Sequence, residues 1–196
     1  MGPLMRLGVL RLAFLLLSLG TSVAKGTSRK SYEIDEAYQI YSLLLPQEES
    51  FGFAKGPMII QKETVSVSLD LACFDPKAAS KFKDALAEYS RIRERVSLLQ
   101  RKFQIEKRYE LVSADTINLF FKERGVDGWQ HFYGRYPDSG GFMIVSPVGF
   151  NKAKTLAVLY TGSECGMVCG EWRFHLLEKV NNKWNEVSGV NCTTVS

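Results

Sequence analysis

Residues 141–190 read GFMIVSPVGFNKAKTLAVLYTGSECGMVCGEWRFHLLEKVNNKWNEVSGV, and the period of this stretch decides the fold. Phe142 to Val148 is an apolar, β-branched run opened by Gly141, with Pro147 marking an edge strand or a bulge. Leu156 to Tyr160 is apolar on both faces, which predicts a strand in the middle of a sheet. Trp172, Phe174 and Leu176 alternate with Arg173 and His175, the period-two pattern of the next strand. Asn181-Asn182 suits a tight turn into a last strand, Lys183 to Val190, because asparagine tolerates positive φ. Short connections make these four strands an antiparallel meander.

Upstream the period turns helical. Ala37, Tyr38, Tyr41, Leu44 and Leu45 recur at steps of three and four from Ile34, and Pro46 stops the run. Gln47 to Gly56 reads as a loop with exposed aromatics, Phe51 and Phe53, and Met58 to Leu69 as a strand. Asp75 is a good N-cap, and Pro76 at the first helical position has no amide hydrogen to leave unpaired. Phe82, Ala85, Tyr89, Ile92, Val96 and Leu99 then lay one apolar stripe along a single long helix. That stripe packs on the protein's own sheet or serves as a coiled-coil seam for a partner. Tyr109 to Val112 reads as a short strand. Ser113 caps a brief helix carrying Ile117, Phe120 and Phe121, which Gly125 ends. Trp129, Phe132 and Tyr133 give one more helical turn before Pro137. The expected class is α+β, with N-terminal helices packed on a mainly antiparallel C-terminal sheet, a meander of about four strands.

Met1 to Ala24 sets the compartment. Arg6 and Arg11 give a positive start before a short apolar run, Leu12 to Leu19, and Ser22-Val23-Ala24 supplies the small residues of a signal-peptidase site. The expected organisation is a signal peptide over 1–24, a flexible leader over 25–30 and a single α+β domain over 31–196. Cleavage would lower the net charge from +4 to +2, too weak a balance to call for nucleic acid. No later segment reaches the ~18 uninterrupted apolar residues of a membrane span. Charge is uneven, however: Lys77 to Arg108 carries ten Lys or Arg against Asp84, Glu88, Glu94 and Glu106. Such a stretch is a solvated helix face or a surface for anionic headgroups and cell-wall polymers.

The chain has four cysteines, Cys73, Cys165, Cys169 and Cys192, and an even count in an exported protein reads first as disulfides. Proximity favours Cys165 with Cys169, which leaves Cys73 for Cys192. In the chain-entropy view the short ring is worth about 2 kcal/mol and the long one about 5 kcal/mol.

Cys165-Gly166-Met167-Val168-Cys169-Gly170 is the sharpest local constellation. Its first reading is a structural disulfide, with glycines supplying the backbone freedom of a cramped loop. Its second is a soft-metal site in which Cys165, Cys169, Met167 and His175 hold copper. The loop is similar to the cysteine loop of the dinuclear copper domain in respiratory oxidases. His175 follows Cys169 at the wrong spacing for that domain, no methionine follows it, and only His131 stands upstream. The third reading is thiol catalysis, with His175 or His131 as base. Asp138-Ser139-Gly140-Gly141 resembles the nucleophile loop of chymotrypsin-like proteases, but the chain has no room for the two barrels those enzymes need, so it reads as a polar turn. Glu164 and Glu171 flank the cysteine loop as a candidate carboxylate pair, and Asn191-Cys192-Thr193 is a glycosylation sequon. Trp129, Trp172 and Trp184 are expected to fill core.

Arg135-Tyr136-Pro137-Asp138-Ser139-Gly140-Gly141, Val148-Gly149-Phe150-Asn151, the Cys165 to Gly170 loop and Lys183-Trp184 together resemble a group of uncharacterised bacterial secreted proteins. Those proteins carry a Cys-Gly-x-x-Cys-Gly loop between two strands. The resemblance implies export and brings no activity with it. The resulting expectation is an exported, soluble, non-catalytic binding or structural module, periplasmic or secreted. Its partner would be a protein or an envelope polymer, with no nucleic acid and no cofactor. The alternatives are a copper-type metal-binding protein using Cys165, Cys169 and His175, and an envelope hydrolase or thiol enzyme.

Overall fold

A computed structural model describes residues 30–48, 54–122 and 127–195. The expected signal peptide over 1–24, the expected leader up to Arg29, Phe51, Phe53 and Gly125 lie outside the described residues. The elements run α1 (Asp35–Glu48), β1 (Met58–Gln61), a 3-10 turn (Leu71–Cys73), α2 (Pro76–Lys81), α3 (Lys83–Ile92) and β2 (Tyr109–Val112). They continue with α4 (Ala114–Phe120), α5 (Gly128–Arg135), β3 (Phe142–Val145), β4 (Gly149–Phe150), β5 (Leu156–Gly166), β6 (Cys169–Val180), β7 (Lys183–Val187) and β8 (Thr193–Val195).

The meander is present. Strands β3, β5, β6 and β7 pair antiparallel in that order, and Asn181 and Asn182 (φ 50° and 61°) make the two-residue turn between β6 and β7. The sheet is nevertheless mixed rather than purely antiparallel. Its full order is β2-β1-β3-β5-β6-β7, with β1 parallel to both β2 and β3, while β4 adds to β5 and β8 to β6. Parallel neighbours need long crossovers, and α2–α3 and then α4–α5 supply them. Helices therefore interleave with strands instead of all preceding them.

Three layers result. One sheet face carries Ile60, Met143, Leu159, Leu177 and Trp184, which pack against Tyr38, Tyr41, Leu44 and Leu45 of α1. On the opposite face Val158, Phe174 and Leu176 meet Phe82, Leu86 and Tyr89 of α2–α3. Ile59 and Phe142, on that same face, meet Ile117 of α4 and Phe132 of α5. The stripe from Phe82 to Tyr89 thus packs on the protein's own sheet.

Two expected elements end early, both for tertiary reasons. The helix stops at Ile92 rather than reaching Leu99, because residues 97–99 give their backbone groups to other chain segments. Ser97 O accepts from Thr64 N (3.0 Å), Leu98 N donates to Lys30 O (2.9 Å) and Leu99 N donates to Lys62 O (2.8 Å). Leu99 is still buried, but it arrives from extended chain, and Val96 is exposed. The strand expected over Met58 to Leu69 ends at Gln61. Its alternation beyond Thr64 is real, since Val67 and Leu69 face core, yet Val67 O accepts the Tyr89 hydroxyl (3.1 Å) instead of joining a ladder. Tertiary demand outweighs local propensity at both ends.

The cap at Asp75 accepts from Lys77 N and Ala78 N, and that at Ser113 from Thr116 N. Gly149 decides how α3 lies on the sheet. A Cβ there would stand 2.5 Å from both Ala85 O and Tyr89 N, so only glycine lets the helix backbone rest on β4.

Candidate binding site

The structure joins Cys165 to Cys169 and Cys73 to Cys192. The first pair closes the tip of the β5–β6 hairpin, where Gly166 pairs with Cys169 and a register shift separates Glu164 from Gly166. Met167 and Val168 form the two-residue turn at that tip and are 88% and 86% exposed. Tyr133 of α5 donates to Cys165 O (2.8 Å), tying the hairpin to the helical layer.

His175 does not join this loop. It lies on β6 six residues beyond Cys169, about 20 Å along an extended strand. Its Nε2 is 2.7 Å from Thr161 Oγ1 and its Nδ1 is 2.7 Å from Glu186 Oε1. With both sulfurs oxidised, Met167 in solvent and both imidazole nitrogens occupied, the copper set is not assembled. Nor does a base face a thiolate. Among the described residues no three His, Cys, Asp or Glu side chains gather as metal ligands. His131 is exposed on α5, and Ser139 donates to Tyr136 O (2.8 Å) inside its turn, as a polar turn requires.

Glu164 and Glu171 do not form a pair. Glu164 pairs with Gly170 and Glu171 with Ser163, and adjacent strand residues point to opposite faces. Burial raises the Glu164 carboxyl above its ordinary range, against a hydrogen bond from Trp172 that lowers it. The folded chain therefore holds that proton more tightly than the unfolded chain does. Stability falls as pH rises from the ordinary carboxylate value through the raised one, and the deficit persists at neutral pH. Glu164→Gln keeps an acceptor for Trp172 and removes the charge. A higher thermal midpoint than the parent at about pH 7, with equal midpoints at about pH 3, is the expected result in parallel melts.

The sequence reading missed the Thr161–His175–Glu186 relay, because its members come from three strands that only the sheet register brings together. Hydroxyl, imidazole and carboxylate stand in the order of a nucleophilic triad. Thr161 is 1% exposed and His175 0%, so the hydroxyl is sealed from any substrate and the relay serves as a satisfied polar contact. His175 holds the Glu186 carboxyl below its ordinary range by hydrogen bonding, with burial opposing. Of the three tryptophans, Trp184 is buried in the α1 layer, Trp129 stacks on Phe142 (5.8 Å, 17°), and Trp172 is half-buried.

A groove of about 730 Å³ lies between α3 and the β3–β5 connection. Ile34, Ile92, Val148 and Phe150 give it apolar walls, and Tyr32 closes one side. The Tyr32 hydroxyl accepts from Val148 N (2.9 Å), and burial pushes its pKa up to about 12. Helical spacing places Asp84, Glu88 and Arg91 along the groove on α3, while Arg95 enters from the segment that follows. Lys152 and Lys154 come from the turn between β4 and β5. Arg91 donates to both Glu88 carboxylate oxygens, from Nε (2.8 Å) and from Nη2, which lowers the Glu88 carboxyl, and Lys154 reaches Glu36 (3.4 Å). Nothing in the sequence alone marked this groove, since its walls are three separate segments, 32–34, 84–97 and 147–154.

Among the described residues no helix is long and apolar enough to cross a membrane. Comparisons of the chain with protein-family models, curated proteins and solved structures return no match.

Proposed function

We propose that the protein is an exported, non-catalytic binding module and that the groove beside α3 is its ligand site. The observation that carries this reading is the groove itself, a concavity of about 730 Å³ with apolar walls and a charged rim. That combination of size, apolar lining and a few polar groups is how small-molecule sites are built. Two disulfides suit a chain that works in an oxidising compartment, as the secreted-family resemblance implies. The sealed relay and the oxidised cysteines offer no nucleophile, which favours binding over turnover. Ligand access fits the same picture, because the groove opens on the surface whereas Thr161 and His175 do not.

The test is a titration of the purified, disulfide-intact protein with the neutral apolar dye N-phenyl-1-naphthylamine. Saturable fluorescence enhancement is expected. Ala87 is exposed on α3 and lines the groove, so Ala87→Trp fills it without entering the core. This substitution should weaken the dye about 10-fold, a loss of about 1.4 kcal/mol. Gln130→Trp, exposed on α5, should leave it unchanged. No saturable binding, or equal binding by all three proteins, overturns the assignment.

A further inference from the structure

We infer that the ligand of this groove is an anionic amphiphile, an apolar chain ending in a carboxylate or phosphate head. This inference rests on the groove being the binding site. The rim carries four cations, Arg91, Arg95, Lys152 and Lys154, and two carboxylates, Asp84 and Glu88; both carboxylates share the α3 side with the two arginines, and the two lysines stand on the β4–β5 turn. The cations are not equivalent. Arg91 is committed to Glu88 and Lys154 to Glu36, so their charges are largely answered within the protein. Arg95 and Lys152 are exposed, and among the described residues neither has a carboxylate within ion-pair distance, although Arg95 is near enough to Glu88 to help Arg91 lower its carboxyl.

These two cations, neither held in an ion pair, come from opposite walls, Arg95 following α3 and Lys152 from the β4–β5 turn. An anionic head at the rim has a cation on either wall to meet, and guanidinium and ammonium suit carboxylate and phosphate oxygens alike. The apolar walls at Ile34, Ile92, Val148 and Phe150 then receive a chain, which a purely polar anion would leave wet. Neutral and cationic amphiphiles satisfy the walls but leave Arg95 and Lys152 unanswered.

The experiment is competition against the bound dye, below micellar concentrations. The four probes are dodecanoate, dodecyl phosphate, dodecyl maltoside and dodecyltrimethylammonium. The two anions are expected to displace dye at about 10-fold lower concentration than the other two, and rising salt should erode that margin. Arg95→Glu combined with Lys152→Glu should abolish the preference, read as the ratio of the four displacing concentrations within each protein so that any change in dye affinity cancels. Both positions are exposed, and a far-ultraviolet circular dichroism spectrum checks that the fold is kept. Tighter dodecyl phosphate identifies a phosphate head, and tighter dodecanoate a carboxylate head. Dye that binds but yields equally to all four probes overturns the anionic assignment and leaves the groove standing. Dye that never binds removes the groove and this inference with it.

Discussion

Replacing Cys73 and Cys192 together by serine is expected to lower the free energy of unfolding by about 5 kcal/mol, the largest single loss in the molecule. The two cysteines are 119 residues apart, so the bond removes a long loop's worth of conformational freedom from the unfolded chain. Its native surroundings show why the folded side does not compensate. Phe74 bridges Val190, Asp75 N donates to Gly189 O (2.8 Å) and Asn191 N donates to Cys73 O (2.6 Å). These contacts already hold the segment after β7 against the start of α2, so the cross-link adds little to them and acts chiefly on the unfolded ensemble. Cys73 is also buried beside Phe74 and Phe82, and a serine hydroxyl there meets apolar neighbours. Urea titration of the parent and the Cys73→Ser, Cys192→Ser protein measures the difference. By contrast, Cys165→Ser with Cys169→Ser opens a ring of only five residues and should cost about 2 kcal/mol. Equal losses from the two pairs would contradict the loop-length account. A loss at the hairpin exceeding that at Cys73 would place the fold's weak point at the β5–β6 tip.

The contrast between these pairs bears on what the sequence made legible. Features set by neighbours in the chain were readable: the Asp75 and Ser113 caps, the Asn181-Asn182 turn and the alternation of β6. Each is determined within a few residues, and its physical signal lies in those residues. Features set by distant partners were not readable. The parallel pairing of β1 with β2 and β3, the helix end at Ile92 and the short ladder at Gln61 all depend on backbone groups arriving from elsewhere. The period of a strand reports which face is wet, not which neighbour it takes. The groove shows the same limit, since Ile34, Ile92, Val148 and Phe150 become one surface only after the layers assemble. Arg91 and Arg95 were visible as part of the basic stretch Lys77 to Arg108, but their different partners were not. His175 was read as a possible ligand of the cysteine loop because both sit in one short segment. On an extended strand, six residues are a large distance.

His175→Leu is expected to cost about 3 kcal/mol. The ionised Glu186 carboxylate only accepts, so His175 Nδ1 carries the hydrogen of that 2.7 Å contact. In the neutral ring Nε2 then accepts from the Thr161 hydroxyl, also at 2.7 Å. Leucine fills the space but removes both partners. Glu186 is partly exposed and recovers water, whereas Thr161 is sealed and does not. Most of the loss therefore belongs to the stranded hydroxyl, and adding Thr161→Val should return about 1 kcal/mol by making the contact apolar on both sides. The pH profile offers a second reading of the same contact. Glu186 titrates below its ordinary value when folded, so its contribution is fully present above the unfolded carboxylate pKa and is lost as pH falls through the lowered one. The parent should lose this part of its stability on acidification, and the His175→Leu protein should lack that slope. If Thr161→Val deepens the defect instead of relieving it, the hydroxyl has a partner worth more than the imidazole. The strip across β5, β6 and β7 would then be held by Thr161 rather than by His175.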